Sequence, residues 1–165
     1  LATSTVILGI DPGLADTGWG IIMQTGQKLT YVAHGCIKTH SSLPLPERLS
    51  LLFTQLQAII QQYRPSICAI EQLFFSKNVS SALPVAHARG VVLLVAQLAQ
   101  CNIYHFTPNT IKQAIAGSGL ADKETVQRMM QIHLRLSEIP KPNHAADALG
   151  CAVCYAHGGQ PCLTV

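Results

Sequence analysis

Three carboxylates stand in this chain where carboxylates are costly. Asp11 closes the apolar run Thr5-Val-Ile-Leu-Gly-Ile10, Glu71 directly continues Ile67-Cys-Ala-Ile70, and Asp147 sits inside His144-Ala-Ala-Asp-Ala-Leu149. An ionised acid buried without a partner is strongly unfavourable and tends to take up a proton. Each has a plainer reading on its own: a turn former in Asp11-Pro-Gly13, a salt-bridged Glu71, a helix N-terminal charge at Asp147. Glu71 resists its reading most, because the nearest bases in sequence are Arg64 and Lys77. Together the three would repel one another unless a divalent cation shared them. Oxygen donors select hard ions such as Mg²⁺. His144, three residues before Asp147 on one helical face, adds an imidazole that suits Mn²⁺ as well. Acidic clusters holding two ions roughly 3.5–4 Å apart cleave phosphodiesters by stabilising the attacking and leaving oxygens.

The elements that must position these acids are legible from pattern. Thr5–Ile10 is continuous and β-branched, a strand buried on both faces that ends at a turn signal. Gly18–Thr25 and Lys28–Lys38 read as a hairpin about Thr25-Gly-Gln27. Pro44 and Pro46 open a helix whose face is Leu45, Leu49, Leu52, Leu56, Ile59, Ile60 and Tyr63, and Pro65 stops it. A short strand then leads to Glu71, and the polar loop Ser76–Ser81 precedes a helix from Leu83 to Gln100. Ile103–Phe106 is a strand, Pro108 starts a helix ending near Gly117, and Asp122 caps the next. The last helix, His144–Ala156, ends at Gly158-Gly159. The order βββαβαβααα predicts a three-layer α/β domain spanning residues 1–165. In such sheets ligands bind beyond the carboxyl ends of the strands, where Asp11 and Glu71 fall.

Composition excludes several classes. The 165 residues are 48% apolar and only 12% charged, which is incompatible with a disordered chain. Apolar runs such as Val91–Ala96 are too short to span a bilayer, and no basic segment followed by an apolar stretch marks the chain for export. The six cysteines lie mostly in apolar segments and read as reduced core thiols of a cytoplasmic protein. Cys151, Cys154, His157 and Cys162 resemble a zinc set, but three of them fan around one helix. Net charge is +3, and no Asp or Glu occurs from Gln72 to Ala121 while Lys77, Arg89 and Lys112 do. A positive surface beside an acidic cation site is what a nuclease needs: cations hold phosphates and the metal site cuts them.

Ile10-Asp-Pro-Gly13 followed by Thr17-Gly-Trp-Gly20, Ala69-Ile-Glu-Gln72 with Lys77-Asn78, Ala88-Arg-Gly-Val91, Ile111-Lys-Gln113 and His144-Ala-Ala-Asp-Ala-Leu149 resemble the bacterial RuvC Holliday junction resolvases, from about Val6 to Ala156. The resemblance implies an RNase H-like three-layer fold: a mixed five-stranded sheet with an antiparallel hairpin and helices on both faces. It also implies a cytoplasmic homodimer making paired metal-dependent nicks in four-way DNA junctions, with two Mg²⁺ ions per site, and a RuvA–RuvB branch-migration complex as partner. Carried over by position, Asp11, Glu71, His144 and Asp147 are the metal and catalytic set. His144 is a departure, since many relatives carry Asp there, and it shifts the expected preference toward Mn²⁺. Phe74 matches an aromatic that stacks on junction bases, with Phe75 an alternative. Lys77, Arg89, Lys112 and Lys123 are the expected DNA contacts. A rival reading, an ATP-handling domain of the actin and sugar-kinase type, would need a second similar half for which 165 residues leave no room. A second rival is a DNA-binding relative in which His144 weakens catalysis.

Overall fold

Alternation along the strands sorts the core into two layers. The chain, described here by a computed structural model over residues 3–72 and 79–162 (side chains of 79–81 excepted), opens with β1 (Ser4–Asp11). Ile7, Leu8 and Ile10 of β1 are fully buried. Ile7 joins a cluster with Ile111, Ile115, Met130 and Leu149, while Leu8 and Ile10 join Leu52, Leu56, Val92 and Val95 on the opposite side. The strand's period of two requires this split. β4 (Ile67–Glu71) repeats it: Ile67 and Ala69 face the first cluster, Cys68 and Ile70 the second. By the same parity Asp11 and Glu71 belong to the first face.

β2 (Asp16–Thr25), β3 (Lys28–Lys38) and β5 (Asn102–Phe106) complete a five-stranded sheet in the order β3-β2-β1-β4-β5. The β1–β2–β3 pairings are antiparallel, and β1–β4 and β4–β5 are parallel. Two helices, α1 (Leu45–Tyr63) and α2 (Val79–Leu98), supply the second cluster; α3 (Pro108–Ala116), α4 (Lys123–Leu134) and α5 (Asn143–Ala156) supply the first. The mixed sheet with helices on both faces is the architecture the sequence predicts. No described helix is long and apolar enough to cross a membrane.

Three glycines set how closely α5 approaches. A Cβ on Gly9 would strike the carbonyl of Ala148, one on Gly18 the carbonyl of His144, and one on Gly20 the side chain of Leu149. Gly18 is the cross-strand partner of Asp11, and Gly20 of Gly9. The glycines form a flat bed on which the backbone of α5 rests, which lowers residues 144–147 onto the end of β1.

Several boundaries differ from the sequence reading by one to four residues, two of them at the starts of β2 and α2. β2 begins at Asp16 rather than Gly18, because its ladder with β3 extends to Asp16–Lys38. α2 begins at Val79 rather than Leu83, so residues 79–81 of the expected loop are helical and Pro84 lies within the helix. Pro84, in the second turn, forgoes one intrahelical hydrogen bond and crowds the carbonyl four residues before it, yet the helix continues to Leu98. Asp122 caps α4 as expected, its Oδ1 accepting from the Thr125 amide at 2.7 Å; Thr107, which the sequence reading did not single out, caps α3 by accepting from the Thr110 amide at 3.0 Å.

Candidate active site

Asp11 and Glu71 leave neighbouring parallel strands at the same level, since Ile10 and Ile70 are paired. Both emerge at the carboxyl end of the sheet, on the face that α5 covers. His144 lies in the first turn of α5, and its Nδ1 is 2.7 Å from Asp11 Oδ2. Asp147 lies one turn further along α5 and lines a cleft shared with Glu71. Residues from three distant parts of the chain therefore meet in one place.

The electrostatics carry the mark of that meeting. Glu71 is pushed up to about 7, by burial first and then by the neighbouring charges of Asp11 and Asp147; His144 and Lys123 oppose the rise. Asp147 is also raised, again by burial first, with Lys123 pulling the other way and Asp11 adding to the rise. Lys123 Nζ stands 3.9 Å from Asp147 Oδ2, with both side chains about half exposed, so this pair contributes little stability. Negative charge in the cluster is thus under-compensated by the protein itself.

That imbalance tests whether the residues suit a divalent cation. Three carboxylates and one imidazole are a hard donor set of the kind Mg²⁺ and Mn²⁺ take. Two carboxylates with raised pKa values gain most from a cation, which would restore their ionised form. Among the described residues, no three His, Cys, Asp or Glu side chains are already drawn around one point, and His144 is turned onto Asp11. The donors fit by type and converge without forming a closed cage.

The expected DNA-contact residues divide. Lys112 and Lys123 both line the cleft beside Glu71 and Asp147. Arg89, on α2, donates through its guanidinium to the Glu71 carbonyl at 2.9 Å and to His105 Nδ1 at 2.8 Å. Burial, then Arg89 itself, lowers the pKa of His105, which keeps the imidazole a neutral acceptor. Arg89 thus braces the end of β4 from behind. Phe74, Phe75 and Lys77 lie outside the described residues. The sequence reading gave no role to the glycine bed, although Gly18 and Gly20 fall within a quoted motif. It also passed over Gln127, which lines the cleft. Gln127 carries no sequence signal beyond its position one turn after Lys123.

A mixed sheet in this order, with acids at the ends of adjacent central strands and a helix laid across them, defines an RNase H-like nuclease scaffold. Comparison with known proteins narrows the class. Residues 7–155 match the family model of the crossover junction endodeoxyribonuclease RuvC. The RuvC of Alkaliphilus metalliredigens is 46% identical over 155 residues, covering 94% of each chain. That of Rubrobacter xylanophilus is 49% identical over 154 residues, covering 93% of this chain and 86% of the relative. The structure of Thermus thermophilus RuvC in complex with Holliday junction substrate superposes with a TM-score of 0.89 at 34% identity, covering 95% of this chain and 98% of that one. The yeast mitochondrial Holliday junction resolvase Ydc2, at 11% identity and a TM-score of 0.65, shares the fold over 92% of this chain and 76% of its own. The chain belongs to the RuvC family of crossover junction endodeoxyribonucleases.

Proposed function

We propose that residues 1–165 form a single nuclease domain that resolves four-way DNA junctions by paired, symmetric nicks leaving 5′-phosphate and 3′-OH ends. The observation that carries this reading is the convergence of Asp11, Glu71 and Asp147 at the ends of β1 and β4 and the start of α5, with Glu71 pushed up to about 7 by burial first and then by the charges of the other two. Asp11, Glu71, His144 and Asp147 would hold one or two Mg²⁺ or Mn²⁺ ions, which supply Lewis-acid polarisation of the phosphate and a lowered pKa for the attacking water. The chain's own groups do the rest. His144 donates through Nδ1 to Asp11, which fixes the ring, and its Nε2 would serve either as a ligand to an ion or as the group that helps activate the water. Lys112 and Lys123 bring positive charge to the cleft and meet phosphate oxygens on either side of the cut. Lys123 opens α4, where backbone N–H groups add to the attraction. Phe74 is the proposed stacking residue and Lys77 a proposed backbone contact.

Paired cuts require two opposed sites, and α2 supports a dimer. Leu83, Leu94 and Leu98 are 56%, 52% and 64% exposed, and their spacing puts them on one face of the helix with Gly90. An apolar stripe with a glycine at its middle suits close, self-complementary packing against a second copy about a two-fold axis. Junction binding is supported by the Thermus thermophilus relative solved with that substrate. Family membership supports action in the bacterial cytoplasm beside a RuvA–RuvB complex.

The test is a nicking assay on mobile four-way junctions, with duplex DNA as control, in Mg²⁺ and in Mn²⁺. Symmetric, ligatable nicks in the junction alone, lost in Asp11→Asn while junction binding persists, are expected. Equal cutting of duplex, or cuts in one strand only, would contradict the proposal.

A further inference from the structure

Three helices of the first layer end at one place, away from the acids. His133 lies in the last turn of α4, His157 follows the last residue of α5, and Ala114 and Ile115 belong to the last turn of α3. The two imidazole rings pack with their centroids 4.6 Å apart and their planes at 75°. His133 Nε2 is 2.9 Å from the Ile115 carbonyl oxygen, and His157 Nδ1 is 3.2 Å from that of Ala114. Carbonyls only accept, so each ring donates through that nitrogen and satisfies an orphan carbonyl of the α3 terminus.

These bonds leave a lone pair on His133 Nδ1 and on His157 Nε2, and neither nitrogen accepts a hydrogen bond among the described residues. An imidazole whose other N–H is tied to a backbone carbonyl has the usual form of a histidine metal ligand, because that bond fixes tautomer and ring direction. With metal–nitrogen bonds of roughly 2.0–2.1 Å, an ion shared by the pair lies about 3.2 Å from each ring centre. Centres 4.6 Å apart then subtend an angle of roughly 90° at the ion. Adjacent ligands of a square-planar or tetragonal ion make that angle, the geometry of Ni²⁺ and Cu²⁺ with nitrogen and oxygen donors. The local field agrees, since three helix C-termini direct partial negative charge at this point. His157 is exposed and borders an open groove with Gln113 and Gln160, so water can fill the remaining positions.

We infer that His133 and His157 form a site for a divalent transition ion of the nickel or copper type, held by two ring nitrogens and water. It is distinct from the acid cluster in place and in chemistry. His157 lies 13 residues beyond His144, about 20 Å at 1.5 Å per helical residue. Mg²⁺ prefers the oxygens of Asp11, Glu71 and Asp147, whereas two imidazoles without a carboxylate favour nitrogen-seeking ions. The cysteines that accompany His157 in the sequence are not required, and the Cys154 thiol is turned to the Thr110 carbonyl at 3.8 Å. A bound ion would pin the ends of α3, α4 and α5 together and so stabilise the layer that carries Lys112, Lys123 and Asp147.

The probe is Ni²⁺, titrated into the full chain in reducing buffer with excess Mg²⁺ to occupy the acids. The unchanged chain should take up one equivalent by calorimetry. The paramagnetic ion should broaden the ring resonances of His133 and His157 before those of the other histidines. His133→Phe and His157→Phe, which keep a packed ring without a ligating nitrogen, should each weaken uptake by about tenfold or more. His144→Ala should bind Ni²⁺ within about twofold of the unchanged chain, because its ring is remote from the pair. Melting in chelator shows which variants are folded, and the exposed His157 keeps the test sound if His133→Phe is not. The inference is overturned if the unchanged chain takes up no Ni²⁺, or if a folded Phe variant binds it as the unchanged chain does. It is also overturned if other histidines broaden first, or if His144→Ala abolishes uptake, which would send the ion to the acids.

Discussion

The Nδ1–H of His144 donates to Oδ2 of Asp11 across 2.7 Å, tying the first turn of α5 to the end of β1 over 133 residues of sequence. A carboxylate only accepts, so Nδ1 carries the proton of this bond and Nε2 is the ring nitrogen left facing other partners. The bond is possible because the carbonyl of His144 rests on Gly18, the cross-strand partner of Asp11.

Replacing that imidazole with a carboxylate tests its part in cation choice. His144→Asp removes a nitrogen donor and adds a negative oxygen donor, which favours the harder ion. The ratio of junction-cutting rates in Mg²⁺ over Mn²⁺ should rise by about threefold or more. A ratio unchanged or shifted toward Mn²⁺ would remove His144 from the cation set.

The raised Glu71 makes stability depend on pH in a defined direction. Between its ordinary value of 4.5 and the folded value of about 7, the folded chain holds a proton that the unfolded chain has lost. Stability therefore falls as pH rises through that window. At about 1.36 kcal/mol per pH unit the full shift corresponds to about 3 kcal/mol, and Asp147, also raised, acts with the same sign. Urea unfolding in chelator should give a chain more stable at pH 5 than at pH 8. Glu71→Gln should narrow that difference, and divalent cation should restore stability at pH 8 in the unchanged chain. Equal pH dependence in Glu71→Gln would contradict the coupling.

The glycine bed has a steric prediction. The methyl group of Gly18→Ala would meet the carbonyl carbon and oxygen of His144 and the amide nitrogen of Ala145, all backbone atoms that no rotamer can move. The helix must lift, costing about 1–3 kcal/mol as overpacking usually does. Because the lift also carries His144 and Asp147 away from Asp11, cutting should fall further than the loss of folded protein explains. Thermal melts and junction assays on one preparation separate the two effects.

The exposed stripe of α2 predicts the assembly. Leu94→Arg places a charge at its centre, on a residue already half exposed in the single chain. Light scattering should show monomers at concentrations where the unchanged chain is dimeric, with thermal stability of the monomer little altered. A persisting dimer would place the interface elsewhere.

Much of this was readable before any coordinates, for reasons that are local. The β-branched run of β1 has one stable use, a strand buried on both faces, and the proline and glycine breaks separate the helices. Asp11, Glu71 and Asp147 stand out because acids are scarce, so each one inside an apolar run is conspicuous. What escaped the reading depends on packing between distant segments. Arg89 belongs to an acid-free stretch and so looks like part of a positive surface. Only the fold shows its guanidinium turned to the Glu71 carbonyl and His105. Nothing along α4 alone distinguishes Gln127 from a solvated residue, because the cleft it lines exists only once α3 and α5 are beside it.

Direct binding of Mn²⁺, followed by the loss of its free-ion paramagnetic resonance signal, tests the shared-cation site without relying on activity. The unchanged chain should take up the ion at neutral pH with release of protons from Glu71, and Asp11→Asn, Glu71→Gln and Asp147→Asn should each weaken uptake by about tenfold or more. If all three variants bound Mn²⁺ as the unchanged chain does, the acids would not share an ion, and the account of the active site would be wrong.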